Sequence, residues 1–434
     1  MQQVLEERMS RFNAEVERYY RWNYWFSIID GANFALGMGF VSLYTILPLF
    51  VLNLTNSKVL ISLVTALSMF GIYLPQIFIA NYVERVKSKK QLTAFFGVFQ
   101  RLPWLALAVF VYIFANGPGV WLLTGFFFFY GIYSFACGFC IPPWFDLTVK
   151  MIPEDRRGRY FGYRSFACGV SELIGAGIAS WVLKVFDFPY NFALLFALTF
   201  VAVMISFLFF IQLKEPDYPN AKKRVNFREY FQSLPHILHQ HKNFRFYIMA
   251  LIFIQFYVMA NALYTASVIE RLGLTQIQAG VQVGIFTALL LGFQTVSFPF
   301  WGHLSDRFGH RQIIVISAGL NIAAVLIAAI GIHLYFYYLV FIFAGVAQGA
   351  NRISLMAIIP EFCAPEDCPT FLGLFNSISG LSITLASFAG GIITDIFNYE
   401  VTFILTGLLV MIGLWILLKQ VEDPQKSNKF LCRV

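Results

Sequence analysis

Charged residues are scarce in this chain. Asp, Glu, Lys and Arg make up 12% of its 434 residues, about half of the roughly 25% that is typical of a soluble globular domain. So few charges cannot cover a water-facing surface of this size, and the 59% of hydrophobic residues and the mean hydropathy of +0.68 agree with this. The composition excludes an ordinary soluble protein and indicates a chain that crosses a membrane many times.

Several functional signals are also missing. No G-x-x-x-x-G-K-[ST] loop occurs, which argues against ATP-driven pumping. Cys137 and Cys140 form a lone C-x-x-C inside an apolar run, without the second pair or the histidine that a zinc site needs. The first 22 residues lack the short apolar core of a signal peptide. Basic residues are spread over many loops, which argues against nucleic-acid binding. We predict no cofactor, no metal site and no catalytic residue.

Twelve apolar runs are long enough to cross a bilayer, which takes about 20 residues. Lipid offers no partner to exposed backbone groups, so each run is predicted to be a helix. The runs lie near residues 24–52, 58–83, 92–115, 119–149, 161–186, 189–213, 244–271, 276–303, 311–333, 335–360, 371–396 and 400–418. The predicted organisation is an amphipathic surface helix over 1–22, a six-helix bundle over 23–213, a linker over 214–243, a second six-helix bundle over 244–419 and a tail over 420–434.

The distribution of Lys and Arg predicts the orientation. With the N-terminus placed inside, the inner segments carry 25 of the 31 basic residues, and the outer loops carry Lys58, Lys184 and Arg271 only. Basic residues concentrate on the cytoplasmic side of membrane proteins. We therefore predict a multi-pass protein of the plasma membrane with both termini in the cytoplasm.

The segment between the eighth and ninth apolar runs carries the most specific motif. It reads WGHLSDRFGHRQ over residues 301–312, with a glycine, an aspartate four residues later, and then Arg-x-Gly-x-Arg. This pattern resembles the cytoplasmic loop signature of the major facilitator superfamily of secondary transporters. The resemblance implies an all-α membrane protein with twelve transmembrane helices in two pseudo-symmetric six-helix bundles, and a substrate site between the bundles near mid-membrane.

A weaker copy of the motif lies 222 residues earlier. Ala80, Glu84 and Arg85 fall at the positions of Gly302, Asp306 and Arg307. In relatives the acidic residue of this loop, with nearby arginines, latches one gating state. The resemblance therefore implies that Asp306, Arg307 and Arg311 form such a latch, with Glu84 and Arg85 as a degraded counterpart. The alternative is that these charges only anchor their loops.

Charges within the predicted spans need a partner or a role, because each costs about 2.5–3.5 kcal/mol at a helix centre. Asp30 is the candidate for proton coupling, since a carboxylate within the membrane can take up and release a proton. A fixed ion pair near the inner face is the alternative. Arg101, Arg164 and Glu172 are predicted to be structural, with Glu172 as a candidate partner of either arginine.

By resemblance, the first, fourth, seventh and tenth helices line the cavity. Arg352 is the main candidate for substrate contact, because its guanidinium is always charged and presents several donors in a fixed fork. The alternative is that Arg352 pairs with Asp30 to close the inner gate. The full set of predicted substrate-binding residues is Arg352, Gln348, Asn351, Asn33, Gln255, Asn261, Tyr257 and Tyr264.

These features predict a monomeric secondary active transporter that moves a small molecule by alternating access and is driven by protons. Arg352 favours an anionic substrate. Efflux of drugs or lipid-like amphiphiles is a second hypothesis, although the fifth span lacks the Gly-Pro pair of many drug antiporters. A membrane-embedded enzyme that acts on a lipid is a third hypothesis, and a non-transporting sensor of the same fold is a fourth.

Overall fold

The chain is helical throughout the part that the structure describes. This structure is a computed structural model, and it describes residues 2–83, 86, 88–153, 156–216, 238–331, 333–363 and 368–422, among which no β-strand occurs. Its principal helices are α1 (Gln2–Phe40), α2 (Ile46–Leu52), α3 (Lys58–Val83), α4 (Lys89–Ile113), α5 (Gly119–Met151), α6 (Arg157–Val185), α7 (Tyr190–Phe210), α8 (Lys242–Ile254), α9 (Val258–Arg271), α10 (Gln276–Phe308), α11 (His310–Ile330), α12 (Leu334–Ala357), α13 (Cys368–Ile396) and α14 (Tyr399–Lys419).

Eleven stretches of the described chain are long and apolar enough to cross a bilayer. They begin with α3, and α8 and α9 together form one of them, over Lys242–Arg271. The first predicted span corresponds to the apolar second half of α1 followed by α2. These elements follow the predicted series of twelve spans.

The N-terminal helix differs from the prediction. We predicted a separate surface helix over 1–22, but α1 runs without a break from Gln2 to Phe40. The physical reason is that no glycine or proline precedes Gly31, so no residue ends the helix before it enters the first span. Trp22 also ties this region to the end of α7, because its Nε1 donates a 3.0 Å hydrogen bond to the carbonyl of Gln212.

The first span is itself broken between α1 and α2. Thr45 leaves the helical region, with φ −131° and ψ −62°. Its hydroxyl lies 2.6 Å from that of Thr287, and Thr265 donates a 3.2 Å hydrogen bond to the carbonyl of Tyr44. Side-chain partners from distant parts of the chain thus satisfy the backbone and hydroxyl groups at the break, which hydrophobic periodicity alone did not reveal.

The seventh span is interrupted as well. Helix α8 ends at Ile254, a 3₁₀ turn occupies Gln255–Tyr257, and α9 starts at Val258. We predicted an unbroken helix over 244–271. A short 3₁₀ segment inside a long helix often marks a functional hinge. This one begins with the buried amide Gln255, and the buried Asn261 follows on α9.

The described chain divides into two compact units. Unit 1 comprises Met1–Ser42 and Phe70–Phe227, and unit 2 comprises Leu43–Met69 and Arg228–Val434. The core of unit 2 contains several large aromatic side chains, among them Phe244, Tyr247 and Phe371. The boundaries that we predicted for the two bundles stay a prediction, and residues 217–237 of the linker lie outside the described part of the chain.

Each half of the chain is closed by the same reciprocal contact. In the first half, Asn23 Nδ2 donates to the carbonyl of Lys214 at 2.9 Å, and the Lys214 amide donates back to Asn23 Oδ1 at 2.8 Å. In the second half, Asn243 and the backbone of Glu422 make the same pair of bonds, at 3.1 and 2.9 Å. In each half, an asparagine on the first helix therefore binds the backbone that follows the sixth span.

Close helix packing also recurs. A Cβ atom on Gly175 of α6 would lie 2.3 Å from the carbonyl oxygen of Leu36 on α1. A Cβ atom on Gly345 of α12 would lie 2.3 Å from the carbonyl oxygen of Leu290 on α10. Neither position tolerates a side chain without movement of the backbone, because small residues let membrane helices approach closely.

Candidate functional site

The 301–312 motif forms the turn between α10 and α11. Helix α10 ends at Phe308 and α11 starts at His310, so Gly309 alone joins them. Gly309 has φ +87°, a region that residues with a side chain rarely adopt. Its amide donates a 2.8 Å hydrogen bond to the carbonyl of Ser305. The glycine of the Arg-x-Gly-x-Arg pattern is therefore required by the backbone of a very tight turn.

The two arginines of the motif have different surroundings. Arg311 Nη2 donates to the carbonyls of Leu417 and Leu418, at 3.0 and 3.1 Å, at the C-terminal end of α14. A cation is favourable there, because the helix dipole leaves partial negative charge at that end. Arg307 is exposed and lies over the ring of Phe308 at 5.3 Å.

The remaining gating residues give less information. A Cβ atom on Gly302 would meet no atom within 4 Å, so no close packing requires this glycine. The side chain of Asp306 and the whole of Glu84 and Arg85 lie outside the described residues. The latch therefore stays a prediction, and the bonds of Arg311 to the end of α14 agree with the alternative that this charge anchors its loop.

In the first half, the equivalent helix α4 is held by an acidic side chain that follows α7, rather than by a basic side chain of its own. The carboxylate of Glu215, beyond α7, accepts hydrogen bonds from the amides of Lys89 and Lys90 at 2.8 and 3.0 Å and from Ser88 Oγ at 2.8 Å. It caps the N-terminus of α4, where negative charge is favourable. In the second half a side chain at the start of α11 caps the end of α14 instead. No motif in the sequence predicted this role of Glu215.

Asp30 lies in a hydrogen-bonded cluster of unit 1. It is 5% exposed, and Ser206 Oγ on α7 donates a 2.6 Å hydrogen bond to its Oδ1. The charges of Arg164 on α6 and Arg101 on α4 both act on the Asp30 carboxylate, that of Arg164 more strongly. The cluster thus joins α1, α4, α6 and α7, and it offers partners for the fixed-pair alternative as well as a buried carboxylate for proton coupling.

Arg101 has the bonds of a structural arginine. Its Nε donates to the carbonyl of Val203 at 2.8 Å, and its Nη1 donates to the carbonyl of Gly97 at 2.9 Å and to Gln100 Oε1 at 3.2 Å. Its Nη2 donates to Ser206 Oγ at 3.4 Å. These bonds satisfy most of its donors, so the suggested pairing of Arg101 with Glu172 is not observed among them.

Comparison with known proteins identifies the family. The sequence profile of the Major Facilitator Superfamily matches residues 30–297 and 282–430. The chain belongs to the major facilitator superfamily. An uncharacterized MFS-type transporter of Methanocaldococcus jannaschii is 22% identical over 424 residues, which cover 95% of this chain and 98% of that protein. The predicted family and the predicted all-helical fold of twelve spans are confirmed.

Another relative overlaps less of the chain, and a solved structure shares its fold. The staphyloferrin B transporter of Staphylococcus aureus is 21% identical over 265 residues, which span 60% of this chain and 62% of that transporter's length. The crystal structure of a D-xylose–proton symporter superposes with a TM-score of 0.71 at 15% identity, covering 93% of this chain and 99% of that one. At this identity the likeness shows the fold alone.

Within this superfamily fold, the seventh span places two buried amides beside its 3₁₀ turn. Gln255 and Asn261 are each 3% exposed. The Oε1 of Gln255 and both polar atoms of Asn261 are buried without a hydrogen-bond partner in the described part of the chain. Leaving a buried polar group unpaired costs about 1–3 kcal/mol, so groups of this kind call for an explanation such as a ligand.

The tenth span adds two more amides. Asn351 accepts a 2.6 Å hydrogen bond from Ser317 Oγ through its Oδ1, while its Nδ2 is buried and has no partner among the described residues. The Nε2 of Gln348 is likewise buried and unpaired within the described chain. The predicted polar residues of α12 therefore keep donors available, and Ser317 orients one of them.

The other predicted substrate residues have different surroundings. Arg352 is exposed, and its guanidinium lies 5.9 Å from the ring centroid of Phe298. Asn33 donates a 2.9 Å hydrogen bond to the carbonyl of Ile29 in its own helix. Tyr264 is 2% exposed and packs against the rings of Phe341 and Phe403.

Tyr264 therefore belongs to the aromatic core of unit 2, and Tyr257, at the end of the 3₁₀ turn, is half-buried. Tyr257 is the last residue of the 3₁₀ turn and directly precedes α9, which carries Asn261 and Tyr264. The stripe from Tyr257 through Asn261 to Tyr264 stays a prediction. Among the described residues, no cluster of three or more His, Cys, Asp or Glu side chains is arranged to hold a metal ion.

Proposed function

We propose that this protein is a secondary active transporter that carries a small molecule across the membrane by alternating access and couples this movement to protons. Membership of the major facilitator superfamily supports transport. The main structural support is the amide of Asn261 in the seventh span. Both of its polar atoms are buried and have no hydrogen-bond partner in the described chain. A solute with hydrogen-bonding groups would satisfy it during transport.

The proposed substrate contacts are the amides of Gln255, Asn261, Gln348 and Asn351, with Asn33, Tyr257 and Tyr264 as secondary members of the set. Arg352 is included because no hydrogen bond or ion pair within the described chain occupies its guanidinium. An arginine fork recognises anionic or strongly accepting groups. The proposed substrate class is therefore a small polar molecule that carries an anionic group.

Asp30 is the proposed proton-coupling residue. It is the buried carboxylate of the first span, where it accepts a hydrogen bond from Ser206 and is acted on by the charges of Arg164 and Arg101. A change in its protonation alters the balance of charge in a cluster that joins four helices. We further propose a monomer in the plasma membrane, with both termini in the cytoplasm and no chemical conversion of the solute.

Transport by the purified full-length protein in proteoliposomes tests the proposal. Uptake of a panel of organic anions, sugars, drugs and lysolipids is measured with and without an imposed pH gradient. We expect uptake of a polar anionic solute that increases with the gradient. Uptake of hydrophobic drugs or lysolipids only would favour the amphiphile-efflux hypothesis, and chemical conversion of a lipid would favour the enzyme.

Asn321 provides a matched control for the amide. It is also buried in unit 2, at 2% exposed, but its Nδ2 donates a 3.0 Å hydrogen bond to the carbonyl of Ser317. We expect Asn261→Leu to lower substrate affinity roughly tenfold, as loss of a hydrogen bond to a polar ligand would do. Asn321→Leu should change stability rather than affinity. Equal affinity losses in both variants would contradict a specific substrate contact at Asn261.

A further inference from the structure

Arg164 differs from the other arginine in the spans of unit 1. Arg101 makes four hydrogen bonds through its guanidinium. Arg164 makes no hydrogen bond and no salt bridge within 4.0 Å to any residue that the structure describes, and its Nε is buried without a partner. A guanidinium has five donors in a planar fork. Arg164 is half-buried, so its unpaired donors can be reached by a ligand.

The guanidinium of Arg164 nevertheless has a defined position. Its Cζ lies 4.6 Å from the ring centroid of Trp144 on α5. On α1 it packs against Gly31, where a Cβ atom would come within 2.7 Å of Nη2 and 2.8 Å of Cζ. An aromatic ring and a glycine backbone thus hold the planar group in place by its face, while its donors stay available at the edge. In this position the guanidinium can bind a planar anionic group through its edge.

Asp30 precedes Gly31 in the chain and is the carboxylate on which the charge of Arg164 acts. Arg164 is the largest charged influence on Asp30, yet no salt bridge within 4.0 Å joins them in the described chain. The other groups that face Asp30 are Ser206 on α7, Arg101 on α4 and Tyr160 on α6. Ser206 and Arg101 bond to one another, which leaves Arg164 as the unoccupied cation of this cluster.

We propose that Arg164 binds a carboxylate of the transported solute through its guanidinium edge, with Trp144 and Gly31 fixing the plane of the guanidinium and Asp30 acting as a competing internal carboxylate. This inference rests on the proposed transport function and adds a substrate contact in unit 1. A carboxylate suits the site because two parallel N–H···O bonds match the geometry of the fork. Loss of the negative charge at Asp30 then strengthens binding of the anion.

The test measures binding of acetate, succinate and citrate to the purified full-length protein, with chloride, nitrate and inorganic phosphate at equal ionic strength as comparators. Tryptophan fluorescence and thermal unfolding report binding. We expect saturable binding of a carboxylate in the wild type, a loss of affinity of roughly tenfold or more in Arg164→Gln, and a smaller loss in Arg164→Lys. Asp30→Asn should bind the same carboxylate more tightly than the wild type.

Two further variants guard against misfolding. Gly31→Ala adds only a methyl group and favours the helix, but it must displace the guanidinium, so it should weaken carboxylate binding while the protein stays folded. Trp144→Phe removes the larger ring and should weaken binding less. The proposal is overturned if no carboxylate binds saturably in the millimolar range, if phosphate or nitrate alone binds, or if Arg164→Gln and Gly31→Ala bind carboxylates as the wild type does.

Failure here is distinguishable from failure of the transport proposal. If the liposome panel identifies a proton-driven solute whose affinity depends on Asn261 and not on Arg164, transport stands and the Arg164 site is wrong. If carboxylates bind through Arg164 but none of the panel is transported, the site stands and the transport proposal fails. Size-exclusion profiles of each variant accompany both measurements.

Discussion

Ser206 on α7 donates a 2.6 Å hydrogen bond to the carboxylate of Asp30 on α1, and both residues are buried. The same hydroxyl accepts a 3.4 Å hydrogen bond from Arg101. Ser206 thus links a carboxylate and a guanidinium that lie on different helices, far apart in the sequence. Removing the charge of Asp30 should affect proton coupling, whereas removing the hydroxyl of Ser206 should affect stability. Comparing the two changes separates a coupling role of Asp30 from a structural one.

We expect Asp30→Asn to abolish proton-driven accumulation and to leave exchange of substrate down its own gradient intact, because the variant keeps the size of the side chain and loses the titrating group. Ser206→Ala is the matched control. It removes two bonds to charged groups, each worth about 1.5–3 kcal/mol, and should lower thermal stability while coupling persists. If Asp30→Asn still concentrates substrate under an imposed pH gradient, Asp30 is structural.

The predicted orientation can be checked by labelling. In a variant without the six native cysteines, single cysteines replacing Lys58 and Lys223 should react with an impermeant maleimide from opposite sides of the membrane. The reason is the excess of basic residues in the segments placed inside. Reaction of both cysteines from the same side would reject the topology with cytoplasmic termini.

The latch prediction concerns Asp306. We expect Asp306→Asn to slow transport while leaving folding and substrate binding largely intact, since loss of one charge in this turn should shift a gating equilibrium by about 1–3 kcal/mol. Glu84→Gln should have a smaller effect, because its loop departs from the motif. Transport rates and binding affinities of both variants provide the measurement.

Arg311→Ala is the control for this experiment. Arg311 caps α14 with two hydrogen bonds, so its loss should lower the unfolding temperature, a change that Asp306→Asn should not show. Equal transport by the wild type, Asp306→Asn and Glu84→Gln would mean that these charges only anchor their loops.

Arg352 should contact the transported molecule. We expect Arg352→Gln to lose affinity strongly and Arg352→Lys to lose it in part, because lysine keeps the charge but not the fork. A charge pair at 4 Å is worth roughly 4 kcal/mol at an effective dielectric of 20, enough to select an anion. Equilibrium binding of the identified substrate is the measurement. Unchanged affinity with altered turnover in both variants would assign Arg352 to a gate instead.

The membrane spans and the tight turn after α10 could be predicted from the sequence, because they depend on residue type and spacing. Apolar runs marked the spans, and the 301–312 motif marked the turn in which Gly309 adopts φ +87°. The repeat between the halves was visible in one pair of loops, and the equivalent contacts of Asn23 and Asn243 extend it.

The breaks in the first and seventh spans could not be predicted in this way, because they depend on contacts between distant segments. Thr45, for example, leaves the helix where its hydroxyl meets that of Thr287. The surroundings of the candidate site residues could not be predicted from the sequence either. Arg101 and Arg164 are equivalent in the sequence, as intramembrane arginines. Only their surroundings show that Arg101 makes four hydrogen bonds, while Arg164 makes none to the described residues.

The paired asparagine contacts have a consequence for the chain as a whole. Because Asn23 holds the chain at Lys214 and Asn243 holds it at Glu422, each half fastens its own first and last helices together without using the connecting segment. Loss of either asparagine should therefore weaken the closure of one half and leave the equivalent contact in the other half in place.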